Sequence, residues 1–393
     1  MKKTILSILM LFMVTSLFAG ESDNQKEIEK LKAEISLLSR QLQSMTNQLE
    51  KLEKDVKEAP SSQQKSVYQN QNPDISVTGT FRYMGTDDKK DIRRNSLKLD
   101  GSELNFSKAV SPYTRGNVTI GFYDDEAHVE EAYADLAYSL PWNLNLRVGR
   151  FLVNTGYINS IHSHDWPFAV MPFPNEYFYG GGHGYGDDGI MISKHLDIDD
   201  QTYGQISVNA LNGNNTLMFN NGQTKVFGGR VLFNRYFNDF DDDIQIGLNY
   251  NQGAHDAKGD LRADIYGVDA MYRHRINQFD KITLLGEYIK SSREQLAPSN
   301  LDAYGYYVAG IYKFKRTYNW HIGLEYDYSE KPANNTDATR AKSIFAGWWF
   351  TENDRLQLQF RKLEDPFKGR DSNEIWLQFI WGMGPHKPHL ANF

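Results

Sequence analysis

Two histidines and an aspartate stand close together in one short segment, INSIHSHDWPF, at residues 158–168. The imidazoles of His162 and His164 and the carboxylate of Asp165 are ligand types that bind Zn²⁺ or Cu²⁺. They make only a partial ligand set, and the next histidine along the chain is His183. We therefore predict no metal and no other cofactor, and name His162, His164 and Asp165 as the candidates if a metal does bind.

Catalysis is the second chemistry that this segment suggests. His162 and Asp165 could orient a serine nucleophile, Ser160 or Ser163, but residues so close in sequence are a poor arrangement for a catalytic triad. The chain contains no G-x-S-x-G, H-E-x-x-H or phosphate-binding loop motif. It also contains no cysteine, which excludes disulfides and thiolate metal sites. We predict that the protein is not an enzyme.

The chain begins with the features of a secretory signal. Lys2 and Lys3 are followed by an apolar run over residues 5–18 and then by the small residues Ala19 and Gly20. This order predicts a signal peptide over residues 1–20 that is removed on export. The rest of the chain is therefore expected outside the cytoplasm.

Residues 24–58 follow a heptad pattern, with apolar side chains at alternating spacings of three and four. A pattern of this length predicts a coiled coil between copies of the chain; the alternative is an amphipathic helix packed on its own domain. The polar residues 59–73 predict a linker. The predicted oligomerisation residues are Ile28, Leu31, Ile35, Leu38, Leu42, Met45, Leu49, Leu52 and Val56.

From Asp74 onward, apolar residues recur at every second position. In RLQLQFR (355–361), for example, three apolar side chains alternate with arginine and glutamine. Such alternation predicts half-exposed strands, of either a soluble sandwich or a transmembrane barrel. Aromatic residues at the ends of the apolar phase favour the barrel. The mean hydropathy of −0.59 is compatible with it, because a barrel turns one residue in two toward water.

The strand count and the connections support the same architecture. Short connections alternate with longer ones, such as 85–96, 211–224 and 329–340, and only the third, around 124–126, breaks the alternation. We predict an all-β fold: a sixteen-stranded antiparallel transmembrane β-barrel over residues 74–393, preceded by an α-helical coiled coil. The predicted strands are centred near Val77, Leu104, Ile120, Tyr133, Leu146, Ile192, Val208, Val231, Ile246, Val268, Leu284, Val308, Leu324, Phe345, Leu358 and Leu377.

Residues 74–393 resemble the sixteen-stranded bacterial outer-membrane porins, distantly like the phosphate-selective porin family. LRVGRFLVNTG (146–156) looks like the strand-plus-glycine segment before the long inward loop of that family, and the coiled coil is similar to the periplasmic stalk of some trimeric porins. The resemblance implies that residues 155–186 fold into the lumen and narrow it. The polar residues then expected at the pore constriction are His162, His164, Asp165, Glu176 and His183.

Charged side chains on the polar phase of the strands are predicted to line the pore. Their mixed signs indicate a general or weakly selective channel, whereas a ladder of lysine and arginine would favour phosphate. We expect passive diffusion of small hydrophilic solutes and ions. The predicted pore-lining residues are Arg82, Arg147, Arg230, Glu287, Glu325, Asp327, Arg355 and Arg361.

The expected location is the outer membrane of a Gram-negative bacterium, with the coiled coil in the periplasm. The expected partners are outer-membrane lipid and further copies of the chain. The barrel favours a trimer, whereas isoleucine and leucine at the heptad core positions would favour a dimer. Peptidoglycan or periplasmic proteins are further candidate partners through the coiled coil; nucleic acid is not. Three alternatives stay open: a substrate-selective anion or phosphate channel, a structural tether, and a barrel enzyme or metal-binding protein.

Overall fold

The computed structural model describes residues 72–123, 126–180, 184–213, 217–219, 224–296, 299–315, 319–366 and 370–385. These residues all belong to the unit Gln71–Phe393. The predicted signal peptide, the coiled coil with its oligomerisation residues, most of the linker and His183 lie outside the described ranges. Among the described residues, no helix is long and apolar enough to cross a membrane.

The described part of the chain contains sixteen strands and a few single helical turns. The turns are Pro141–Asn143, Ile158–Ser160, Ser163–Asp165, Phe173–Asn175 and Glu176–Gly180. The strands are β1 (Asp74–Thr86), β2 (Ser96–Ala109), β3 (Thr114–Tyr123), β4 (Glu126–Leu140), β5 (Leu144–Leu152), β6 (Gly186–Asp199), β7 (Thr202–Leu211), β8 (Val226–Phe237), β9 (Asp242–Ala254), β10 (Arg262–Arg275), β11 (Lys281–Arg293), β12 (Leu301–Phe314), β13 (Trp320–Lys331), β14 (Asn334–Trp349), β15 (Asp354–Asp365) and β16 (Arg370–Met383).

The strands form one closed antiparallel barrel. Each strand pairs with its neighbours in sequence, and β1 pairs with β16 from Val77–Met383 to Thr86–Glu374. Closure satisfies the edge strands, which would otherwise expose unpaired backbone groups. Each predicted strand centre falls within a different observed strand, so the all-β, sixteen-stranded antiparallel barrel is confirmed.

The two faces of the sheet have the polarity of a membrane barrel. On the outer face, Leu324 is 64% exposed and Leu358 is 44% exposed. On the inner face of the same strands, Asp327 and Arg355 are at most 1% exposed. A soluble sandwich buries the apolar face of its strands, so this inverted pattern is the one expected when lipid covers the outside.

Aromatic side chains form two outer clusters at opposite ends of β11–β14. Tyr304 stacks with Tyr288 and with Tyr328, near the end of the barrel where β11 joins β12 and β13 joins β14. Trp320 stacks on Trp348 at 5.2 Å, near the ends that join the short turns. Rings at both ends of an apolar band are typical of the interfacial girdles of membrane barrels.

The predicted alternation of connection lengths fails between β13 and β14, and also between β15 and β16, which only residues 366–369 separate. The connection between β13 and β14 was expected to be long, over residues 329–340, but β13 extends to Lys331 and β14 begins at Asn334. The ladder continues from Tyr328–Arg340 to Glu330–Ala338, and then shifts register to pair Lys331 with Asn334. The polar sequence therefore extends the hairpin beyond the apolar band, because backbone pairing does not require apolar side chains.

Gly149 on β5 marks a close approach between strands. Its φ is +134°, and a β-carbon there would lie 2.1 Å from the carbonyl oxygen of Ala132 on β4. We predict that Gly149→Ala costs about 1–3 kcal/mol through backbone strain. The folded fraction, measured by the heat-dependent shift in gel mobility, should fall. The matched control is Gly116→Ala on β3, where a β-carbon meets nothing within 4 Å; equal losses in both variants would contradict the prediction.

Candidate functional site

A long loop, residues 153–185, connects β5 to β6 and follows directly from LRVGRFLVNTG (146–156). Gly156 at its start has a φ of +72°, a conformation that favours glycine. A β-carbon at Gly156 would lie 2.3 Å from Oε2 of Glu287 on β11. The absence of a side chain thus lets the loop backbone reach this carboxylate on the barrel wall.

Glu287 is the main polar anchor of the long loop. Its Oε1 accepts hydrogen bonds from the backbone N–H groups of Tyr157 at 3.0 Å and Ile158 at 2.7 Å. The same oxygen accepts the hydroxyl of Tyr307, and Oε2 accepts the side-chain amide of Asn175, each at 3.0 Å. One buried carboxylate therefore fixes both the first and the later part of the loop.

Strand β15 supplies a second row of anchors. Three successive inward-facing side chains of this strand form hydrogen bonds with backbone groups of the loop. These bonds hold the loop along the inner face of β15. The bonds are Arg355 Nη2 to the His164 carbonyl at 3.0 Å, Gln357 Nε2 to the Pro167 carbonyl, and the Ala169 N–H to Gln359 Oε1 at 2.8 Å.

Apolar packing holds the middle of the loop against the wall. Phe168 is fully buried and makes edge-to-face contacts with Tyr307 at 5.8 Å and Phe345 at 5.4 Å. This is an inward-facing apolar patch, where the alternation predicts polar residues. The sequence indicates this patch where two consecutive residues of a strand are both apolar, because one of the two must then face inward. Such places are Leu284–Leu285, Tyr306–Tyr307 and Ile344–Phe345.

The loop also contacts the other side of the barrel. His162 Nε2 lies 3.1 Å from Oε2 of Glu131 on β4. Strands β4 and β11 are seven strands apart in one direction around the barrel and nine in the other. The segment from Ile158 to His162 thus joins two nearly opposite walls, those that carry Glu287 and Glu131.

Two histidines meet two glutamates at this second wall. His162 Nδ1 lies 3.5 Å from Oε2 of Glu103 on β2, and His164 Nδ1 lies 3.3 Å from the same oxygen. Burial lowers the pKa of His162, but the carboxylates of Glu103 and Glu131 more than offset this and raise the pKa to about 10. The imidazole is therefore protonated at neutral pH and pairs with both carboxylates.

The predicted constriction residues have different surroundings. His162 and His164 come together with Glu103, as described above, whereas Asp165 is buried with an oxygen 4.0 Å from His164 Nε2. Glu176 lies further along the loop, where burial raises the pKa of its carboxyl group and Arg361 partly offsets that rise. His183 is outside the described residues. Glu103 and Glu131 were missed, since each is one of many strand carboxylates in the sequence.

The predicted pore-lining residues all carry inward-facing side chains, but they differ in exposure. Six are at most 5% exposed and lie against the loop or in ion pairs: Arg230, Glu287, Glu325, Asp327, Arg355 and Arg361. Arg82 and Arg147 keep some contact with water, with side chains 17% and 26% exposed.

Four of the five arginines in the predicted pore-lining set pair with carboxylates. Two of these pairs are almost completely buried, and two are partly open to solvent. The shortest distances are 2.6 Å for Arg230–Asp269, 2.7 Å for Arg361–Glu374, 2.7 Å for Arg147–Asp135 and 2.8 Å for Arg82–Asp100. Their positive charges are therefore largely balanced within the barrel.

Solved outer-membrane proteins share this fold. OmpF of Salmonella typhi, solved in complex with daunomycin, aligns with a TM-score of 0.54 at 12% identity, over 79% of this chain and 97% of that one. The anion-selective porin from Comamonas acidovorans aligns with a TM-score of 0.53 at 12% identity, over 79% of this chain and 99% of that one. The outer membrane channel DcaP of Acinetobacter baumannii aligns with a TM-score of 0.53 at 12% identity, over 79% of this chain and 96% of that one. The chain thus has the closed antiparallel barrel fold of the outer-membrane porins.

Sequence comparison adds one relative. An uncharacterized protein of Aquifex aeolicus (strain VF5) is 25% identical, over 81% of this chain and 79% of its own length. No family model matches the chain. The likeness to the solved structures is therefore one of fold alone.

Proposed function

We propose that the protein is an outer-membrane channel for passive diffusion of small hydrophilic solutes and ions, narrowed by its long loop. The observation that carries the proposal is the pair of anchors on opposite walls, Glu287 to Ile158 and Glu131 to His162, inside a barrel with a lipid-facing apolar surface. A loop held at both walls reduces the cross-section through which solutes pass. A tether or anchor would need no such loop.

The charge arrangement supports weak rather than strong ion selectivity. A phosphate-selective channel needs cations with an unbalanced field along the path. Among the described lining residues, Arg82, Arg147, Arg230 and Arg361 each lie within 2.8 Å of a carboxylate oxygen. We therefore favour a general channel over an anion or phosphate channel.

The Arg147–Asp135 pair tests this account of selectivity, because both side chains are partly open to water. Asp135→Asn leaves Arg147 without its counter-charge and should shift the preference toward anions; Arg147→Gln should shift it toward cations. A unit charge about 4 Å from a passing ion is worth about 1 kcal/mol in water, so several-fold changes in permeability ratio are expected. Reversal potentials under a salt gradient measure them.

The double variant Arg147→Gln/Asp135→Asn is the control for this pair. It removes both charges and should return the reversal potential close to that of the wild type. Single variants that leave the reversal potential unchanged would place the ion path away from this pair.

The proposed location is the outer membrane of a Gram-negative bacterium, and the proposed assembly is a homotrimer joined by the periplasmic coiled coil. The unbroken heptads over residues 24–58 support self-association. Peptidoglycan and periplasmic proteins are the further partners that a periplasmic stalk could reach. Cross-linking of the full chain in detergent should give trimers, and removal of residues 24–58 should reduce them; a monomer with residues 24–58 intact would contradict this assembly.

A further inference from the structure

The contact between His162 and Glu103 belongs to a larger cluster of possible metal ligands. His162, Glu103 and Glu130 each offer a ligand atom, and these atoms all lie within 4.8 Å of one another. The three side chains border one cavity of about 270 Å³, between the loop and strands β2 and β4. We propose that this cluster is a binding site for a divalent transition-metal cation such as Zn²⁺, coordinated by His162 Nδ1 and the carboxylates of Glu103 and Glu130.

The separation of two of the ligands fits such an ion. Two ligands of a tetrahedral Zn²⁺, each about 2.0–2.1 Å from the metal, are about 3.3–3.4 Å apart. The separation of His162 Nδ1 from Glu103 Oε2 is 3.5 Å. One imidazole with two carboxylates is also a ligand set that suits Zn²⁺ better than Mg²⁺ or Ca²⁺, which prefer oxygen ligands alone.

The groups around the ligands orient them as in known metal sites. The Nε2–H of His162 can donate to Glu131, which directs Nδ1 toward Glu103. A carboxylate on the far nitrogen of a ligating histidine is the usual outer partner of a metal site. The hydroxyl of Tyr123 donates a hydrogen bond to Glu130, which holds that carboxylate in place.

This site differs from the one that the sequence predicts as a candidate. Only His162 is retained from the trio of His162, His164 and Asp165, and both carboxylates come from strands of the wall. His164 stacks beside His162 with ring centres 5.4 Å apart. A bound metal would join the loop, through His162, to Glu103 on β2 and Glu130 on β4.

Equilibrium dialysis of the full-length, chelator-treated protein in detergent tests the site, with Zn²⁺ as the probe in excess Mg²⁺. We expect one Zn²⁺ per chain from this site. His162→Ala and Glu103→Gln should each weaken its affinity at least tenfold. Glu131→Ala should weaken it about 10- to 100-fold, because it removes the outer partner of the His162 imidazole. Heat-dependent gel mobility verifies that each barrel is folded.

Two controls separate this site from other histidines of the chain. His128→Ala removes an exposed imidazole that lies 3.6 Å from Glu126, and His386→Ala/His389→Ala removes two histidines of the tail. Both should bind Zn²⁺ as the wild type does. Equal binding by wild type, His162→Ala and Glu103→Gln, or complete displacement by Mg²⁺, would overturn the proposal.

X-ray absorption of the Zn²⁺-loaded wild type provides a test that needs no variant. The expected first shell is one imidazole nitrogen with oxygen ligands at about 2.0–2.2 Å. A shell of oxygens alone would overturn the proposal. Both measurements are independent of channel activity, so a failed metal site and a failed channel can be told apart.

Discussion

Replacement of Glu287 by alanine is expected to release the long loop from the wall of the barrel. The substitution leaves the N–H groups of Tyr157 and Ile158 and the amide of Asn175 without their acceptor. Each buried donor without a partner costs about 1–3 kcal/mol. Water in the lumen can satisfy these donors only if the loop moves away, so the cost favours the undocked loop.

Hydrogen exchange of the backbone amides of residues 157–176 measures this release. Exchange should be faster by orders of magnitude in Glu287→Ala, while the strands keep their protection. Glu287→Gln retains one acceptor oxygen and should give an intermediate effect. Glu126→Ala, at an exposed carboxylate of the rim, is the matched control and should leave the loop unchanged. Unchanged exchange in Glu287→Ala would contradict the anchoring role of this carboxylate.

Phe168→Ala is expected to have a comparable effect through packing. The ring is fully buried in the inward apolar patch, edge-to-face with Tyr307 and Phe345. Removing a buried phenylalanine costs about 3–5 kcal/mol, which includes about 0.5–1.5 kcal/mol for each aromatic pair. The loss weakens docking of the loop, whereas the backbone pairing of the barrel remains.

The same exchange measurement, together with urea unfolding in lipid vesicles, tests this second prediction. The loop amides should exchange much faster in Phe168→Ala. The urea midpoint for unfolding of the barrel should change only slightly. The control is Phe360→Ala, which removes the same side chain from the lipid-facing surface, where Phe360 is 46% exposed. Faster loop exchange in Phe360→Ala as well would show that the effect is not specific to the patch.

The barrel could be predicted from the sequence because alternation is a local property. In RLQLQFR (355–361), neighbouring residues alone determine which side faces lipid, and the observed burial of β15 follows that phase. Closure also follows, because a sheet in the membrane cannot leave an edge unpaired and an even number of strands lets the first and last pair antiparallel. The ends of β13 and β14 were less predictable, because polar residues continue a hairpin as readily as they begin a loop.

The surroundings of the loop could not be predicted in the same way, because they depend on contacts far apart in sequence. Arg355 was predicted to line the pore, yet it bonds to the carbonyl of His164 beneath the loop. Strand phase shows that a side chain points inward, but not whether water or protein meets it there. Glu103 and Glu131 come near His162 only through the closed barrel and the path of the loop.

Single-channel recording from the purified full chain in a planar bilayer tests the central claim most directly. We predict discrete, stepwise current openings with weak ion preference for the wild type. The openings should be larger and noisier for Glu287→Ala, whose loop is released. Heat-dependent gel mobility verifies that both proteins are folded. If neither folded barrel conducts current, the result contradicts the proposed channel function.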